Sequence, residues 1–143
     1  IDKREQNPLR FQEAGAVEGT EMTTLSVGDY SVRFRDGSSP PVAVERKSLN
    51  DLYGTMTSGY PRFKEEMKRA KEARIELILG LENTLGEVAE GVPYSKFSGS
   101  SMVKKLMTLE IRHHLRVVYC RNRLELARWI TEYFEAIGRE KFK

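Results

Sequence analysis

Seven consecutive positions, Ile75-Glu76-Leu77-Ile78-Leu79-Gly80-Leu81, are apolar except at Glu76 and Gly80. A strand sends alternate side chains to opposite faces, so a strand that is apolar on both faces has to be covered on both. This run therefore predicts a central strand with a layer of structure on each side.

Its neighbours supply the layers. Val42–Lys47 reads as the returning strand of a hairpin. The first arm is Tyr30–Arg35, where Val32 and Phe34 share one face and Ser31, Arg33 and Arg35 the other. The turn residues Asp36-Gly37-Ser38-Ser39-Pro40-Pro41 make the connection a loop, and a further strand is expected at Met22–Leu25. Ser48 suits the cap of a short helix running to about Thr57. Phe63, Met67 and Ala70 recur at helical spacing within Arg62–Arg74. Residues 86–99 are read as a short helix or loop, followed by a helix from Ser100 or Ser101 to near His114. Val117–Cys120 is a short buried strand, and Asn122 caps a last helix ending near Gly138. Residues 1–21 show no clear period. Strands and helices alternate after the hairpin, which predicts an α/β fold: a mixed central β-sheet flanked by helices on both faces.

A chain of 143 residues fits one domain, 1–143. With 39% hydrophobic and 31% charged residues it can bury a core and does not have the composition of a disordered chain. The net charge of +3, from 24 Lys and Arg against 21 Asp and Glu, is too slight to specify a nucleic-acid partner without local clustering. The single cysteine, Cys120, can form no internal disulfide, and its apolar surroundings make it a core residue. An intracellular protein is expected: in the nucleus of a eukaryote, or the cytoplasm or nucleoid of a prokaryote or virus. No apolar stretch reaches membrane-spanning length, and no signal peptide is apparent.

The chemistry concentrates around Glu45-Arg46-Lys47. On a strand, residues i and i+2 point the same way, so Glu45 and Lys47 project together and Arg46 projects oppositely. Asp29, preceded by Gly28, lies sixteen residues upstream on the partner arm, close enough to join them. Val42 and Val44 anchor the strand, leaving the charges at its exit. Two carboxylates on one side suit a hard cation such as Mg²⁺ or Mn²⁺, which can activate a bound water and polarise a phosphate. Lys47 adds a compact positive charge to orient that water or offset the charge growing on the phosphate oxygens. An acidic-x-Lys triplet alone is commonplace and is most simply a surface feature. Gly28-Asp29 upstream, the hydrophobic lead-in and Asp51 four residues on set this one apart.

Together these residues resemble the XPF-type structure-specific nuclease family, whose signature is GD, a variable gap, then ERKxxxD. The chain carries Gly28-Asp29, Glu45-Arg46-Lys47 and Asp51, and Asp2-Lys3-Arg4-Glu5 resembles the family's opening D-x-R-E cluster. Ile78-Leu79-Gly80-Leu81-Glu82 is similar to a later apolar strand ending in Glu. The likeness runs over essentially the whole chain. It implies a restriction-endonuclease-like fold and Mg²⁺- or Mn²⁺-dependent endonucleolytic hydrolysis of branched DNA, such as flaps, forks or junctions, in DNA repair or recombination. By matching positions, Asp29 and Glu45 would hold metal and Lys47 would assist the attacking water. Arg46 and Asp51 would support the site through an ion pair. Asp2, Arg4 and Glu5 would lie nearby, with Asp2 a further metal contact. Relatives often carry a helicase before this domain and tandem helix-hairpin-helix motifs after it, so a fragment or a stand-alone form is expected. The competing readings are a non-catalytic DNA-binding or partner subunit of the same fold, and a junction-resolvase or restriction-type nuclease.

DNA contacts are expected from Tyr60, Arg62, Lys64 and Lys68 on the 62–74 helix and its approach, and from Lys104 and Lys105 beyond Ser98-Gly99-Ser100-Ser101. The ordinary reading of the first group is a solvated face stitched by i,i+4 pairs, and of the second a helix cap. Adjacent His113 and His114 do not face each other, so they suit a helix C-terminus better than a metal. The last helix, with Leu126, Trp129, Ile130, Tyr133, Phe134 and Ile137, is apolar over a wide arc. Because related nucleases pair through this region, a homodimer or heterodimer is expected there.

Overall fold

In the computed structural model, which describes residues 1–11 and 19–143, the apolar run is the middle strand of a sheet. Strand β1 (Val42–Lys47) and strand β3 (Arg116–Tyr119) flank β2 (Glu76–Leu81), and both pairings are parallel. The register sets Glu45 beside Leu79 and Lys47 beside Leu81. Helices α1 (Leu49–Met56) and α2 (Tyr60–Ala73) connect β1 to β2, and α3 (Leu85–Glu90) and α4 (Gly99–His113) connect β2 to β3. The chain closes with α5 (Arg123–Lys141). The α/β architecture matches the expectation.

Alternation along β2 divides the core. Leu77, Leu79 and Leu81 pack with Leu52, Tyr53, Met56, Phe63, Met67, Val88, Met102 and Leu106 from α1 to α4. Ile78 faces the other way with Val42 and Val44, beneath Leu126, Ala127, Ile130 and Phe134 of α5 and beside Leu9, Phe11 and Tyr30. Gly80 is a close-approach position. A Cβ there would stand 2.8 Å from Cδ1 of Leu126 and 3.1 Å from Cγ1 of Val44, so a larger residue would lift α5 from the sheet.

The anticipated hairpin is reduced to one antiparallel bridge, Tyr30 to Val44, and the strand at Met22–Leu25 to one parallel bridge, Thr23 to Asp2. Backbone chemistry explains the loss. Pro40 and Pro41, just before β1, have no N–H to donate to a ladder. The Ser31 hydroxyl also takes the carbonyl of Val42, at 2.9 Å, which a neighbouring strand would have used. The sheet is therefore parallel over its named strands rather than mixed. Of the aperiodic stretch at residues 1–21, positions 12–18 lie outside the described residues. Among the described residues no helix is long and apolar enough to cross a membrane.

The helix signals held closely. Ser48, Ser98 and Asn122 are N-caps whose side chains accept amides of the first turn. The last helix runs past Gly138 to Lys141, and Gly138 stands under the Phe34 ring, which a Cβ would meet at 3.1 Å.

Candidate metal centre

Gly28 opens the site. It has φ +75°, and a Cβ would lie 2.9 Å from Cβ of Ala43, so conformation and space both demand glycine. The tight turn lets Asp29 lie along β1: the amides of Asp29 and Tyr30 donate to the Val44 carbonyl at 2.8 and 3.0 Å, and Val44 N–H returns to Tyr30 O at 2.8 Å. The Asp29 side chain then accepts the Arg46 amide through Oδ2 at 2.8 Å.

Glu45 and Lys47 share the face of β1 that carries α1 to α4. Lys47 Nζ is 3.9 Å from Glu45 Oε1, and their side chains are 22% and 11% exposed. The Glu45 carboxyl has Asp29 and Glu66, from α2, as its acidic neighbours. Burial, reinforced by these acidic neighbours, raises Glu45 far above the usual carboxylate range. Burial likewise raises Asp29, against the pull of its hydrogen bonds and of Lys47. One ammonium thus stands beside Glu45, which Asp29 and Glu66 crowd.

That donor set fits a divalent cation. Mg²⁺ is commonly held by one or two carboxylates and keeps its remaining positions for water and phosphate oxygens. Among the described residues no group of three or more His, Cys, Asp or Glu is already drawn round one point as a cage. An ion held by Asp29 and Glu45, completed by water, is compatible with that.

Asp2 is differently engaged. Its Oδ1 accepts the Arg4 amide and Nε at 2.8 and 2.9 Å, and its Oδ2 accepts Arg4 Nη2 and the Leu25 amide at 2.8 and 2.9 Å. The hydrogen bonds from Arg4 hold the Asp2 pKa well below the ordinary carboxylate range, and Arg4 also acts on Asp29 and Glu66. With both oxygens accepting two hydrogen bonds, Asp2 anchors Arg4 beside the site.

Arg46 projects through the opposite face, as alternation requires, but its partner differs from the one expected. It makes no ion pair with Asp51. Nε and Nη2 donate to Glu5 Oε2 and Oε1, both at 3.0 Å, while Nη1 donates to the two oxygens of Glu82 at 3.1 and 3.2 Å. Asp51 is exposed in the first turn of α1, on the far side of the strand from that guanidinium.

The basic residues fall into two sets. Arg62, Lys64 and Lys68 are exposed on α2. Lys105 leans over the Tyr60 ring, 3.7 Å from its centroid, and donates to the Met56 carbonyl at 2.7 Å. Both line a shallow cavity with Lys104, Arg112 and His113. Sequence reasoning passed over Glu66, Arg112 and Glu82 as site or supporting groups. Glu66 had one signal: its position three residues after Phe63 and four before Ala70 sets it at the edge of the buried stripe.

A family model described as the ERCC4 domain matches residues 1–133. Similar solved structures include XPF from Aeropyrum pernix, at TM-score 0.61 and 18% identity, covering 82% of this chain and 53% of that one. XPF from Aeropyrum pernix in complex with DNA is similar at TM-score 0.55 and 16% identity, covering 84% of this chain and 53% of that one. The chain thus spans about half the length of the solved chains it matches. No curated protein shows a match.

Proposed function

Because the chain belongs to the ERCC4 domain family, we propose that it is a metal-dependent, structure-specific endonuclease that hydrolyses phosphodiester bonds in branched DNA during repair or recombination. The observation that carries this reading is the meeting of Asp29 and Glu45 with the Lys47 ammonium beside them. A solved relative in complex with DNA supports the choice of polymer.

In this reading Asp29 and Glu45 hold Mg²⁺ or Mn²⁺, which when bound supplies Lewis acidity and an acidified water. Asp29 is pre-aimed by the Arg46 amide, so little ordering is left to occur on binding. Lys47, partly exposed, faces incoming phosphate and offsets charge on its non-bridging oxygens. Arg46 keeps β1 and the N-terminal segment in place, and Asp2 holds Arg4 at the rim. Asp51 supports the site from the first turn of α1. Tyr60, Arg62, Lys64, Lys68, Lys104 and Lys105 steer the DNA backbone. Residues 1–143 act as one nuclease domain, and α5 carries the contact with a second subunit. Stacked Trp129 and Tyr133, centroids 4.9 Å apart, lie half-buried on it with the Arg116 guanidinium over both rings.

The test compares labelled duplex, flap, fork and four-way-junction DNA with Mg²⁺, Mn²⁺ or chelator, for wild type and Lys47→Ala. Cation-dependent cutting of branched DNA that Lys47→Ala slows by about 10²–10³-fold is expected. Cutting unchanged by Lys47→Ala refutes the assigned site, and binding without cutting under every metal makes the chain a non-catalytic member of its family.

A further inference from the structure

We propose that Glu66 of α2 is a further carboxylate of the cation site, facing the ion through one of its bound waters. The inference rests on the nuclease reading above and extends it to a residue outside the GD and ERK segments. Three observations carry it. Glu66 is an acidic neighbour that acts directly on Glu45. Its Oε2 accepts the Gly28 amide at 3.1 Å, so it is held against the turn that presents Asp29. It is half-buried, whereas Lys64 and Glu65 beside it are exposed, yet among the described residues no Lys or Arg forms an ion pair with it.

A glutamate kept only to tether Gly28 would not have to face the Glu45 carboxylate. Its charge is offset by a cation shared with Asp29 and Glu45. Mg²⁺ retains several waters, so an oxygen set back from the ligand position still bonds to the hydrated ion. Such outer contacts are worth about 10–100-fold in metal affinity. Docking α2 through Phe63, Met67 and Ala70 then makes the helix part of the site.

Glu66→Gln keeps an acceptor for Gly28 and removes the charge, whereas Glu66→Ala removes both. Mn²⁺ affinity of the whole chain, measured by titration calorimetry, and the Mg²⁺ dependence of cleavage are read beside melting temperature in chelator. Asp29→Asn is the reference. Expected are loss of Mn²⁺ binding in Asp29→Asn and about tenfold weaker Mn²⁺ binding in Glu66→Gln, with a matching rise in the Mg²⁺ needed for cutting. If Glu66→Gln melts early, Glu66→Asp, which retains the charge, binds Mn²⁺ more tightly than Glu66→Ala. Wild-type affinity in Glu66→Gln, or equal affinity in Glu66→Asp and Glu66→Ala, overturns the role of Glu66 and leaves the nuclease reading intact. A wild type that binds no Mn²⁺, with or without DNA, overturns both.

Discussion

The main-chain amide of Arg46 donates a 2.8 Å hydrogen bond to Oδ2 of Asp29, while the same residue's guanidinium reaches through the opposite face of the sheet to Glu5 and Glu82. One residue thereby fixes the aim of a candidate ligand and closes a nearly buried ion triad. Loss of its side chain should act on stability before chemistry. Arg46→Ala leaves two carboxylates, each 11% exposed, without their cation, and should cost about 3–5 kcal/mol. Urea unfolding measures this. Arg46→Met with Glu5→Gln and Glu82→Gln should recover part of the loss, and a single variant as stable as wild type contradicts the triad's role.

Lys47 should show the reverse behaviour. Its pairing with Glu45 is long and its side chain partly exposed, so Lys47→Ala should melt within a few degrees of wild type. Single-turnover cleavage should fall about 10²–10³-fold, the usual loss for one preorganised electrostatic contact.

Buried Glu45, crowded by Asp29 and Glu66, has a folded-state pKa raised above its unfolded value near 4.3. A raised value means that its contribution to stability is full below the unfolded pKa and is lost as pH rises towards the folded one. Cation-free protein should therefore lose stability between about pH 5 and pH 8, by roughly 1–3 kcal/mol, and Mg²⁺ should restore it. Glu45→Gln should flatten the profile and raise stability at the alkaline end while abolishing cleavage. Calorimetric melts across that range in chelator decide the matter, and a wild-type profile already flat would count against the crowding.

These readings differ in how far the sequence alone exposed them. Val42–Lys47, its alternation and the opposite aim of Arg46 follow from local pattern. The partners of Arg46 do not, because Glu5 and Glu82 stand 41 and 36 positions away. Glu66 was hidden among similar charges on α2, where only closeness to the apolar stripe distinguishes it. The hairpin arm at Tyr30–Arg35 has strand-like alternation, but the prolines after it and the Ser31 hydroxyl withhold the hydrogen bonds that alternation cannot report.

Gly28→Ala should be costly out of proportion to its one added carbon. The left-handed backbone and the 2.9 Å approach to Ala43 together predict a loss of about 2 kcal/mol and weaker Mn²⁺ binding. Thermal melts and metal titration on one preparation test both halves. An unperturbed variant would mean that the turn can relax.

Contacts with DNA should appear in salt dependence. If exposed Arg62 and Lys104 each neutralise one phosphate, removing either should lower the slope of log affinity against log salt by about 0.9. Anisotropy titrations at several salt concentrations, in chelator, give the slope, and an unaltered slope removes that residue from the interface.

The two halves of the core also differ in how far apart in the chain their parts lie. The layer on one side of β2 comes largely from the continuous stretch 49–115, whereas the other joins Leu9 and Phe11 to α5, with Arg123 donating to the carbonyls of Asn7 and Pro8 at 2.8 and 3.0 Å. Short-range closure is fast and long-range closure slow, so refolding should regain most helical signal before head and tail meet. Asp29 is set beside β1 by contacts that span few positions, the Tyr30 bridge to Val44 and the Arg46 amide, and so belongs with the early closures. In the proposed reading, Asp29 and Glu45 are therefore side by side before Arg123 reaches Asn7 and Pro8, and that last closure seals the far face of the sheet behind a cluster already assembled.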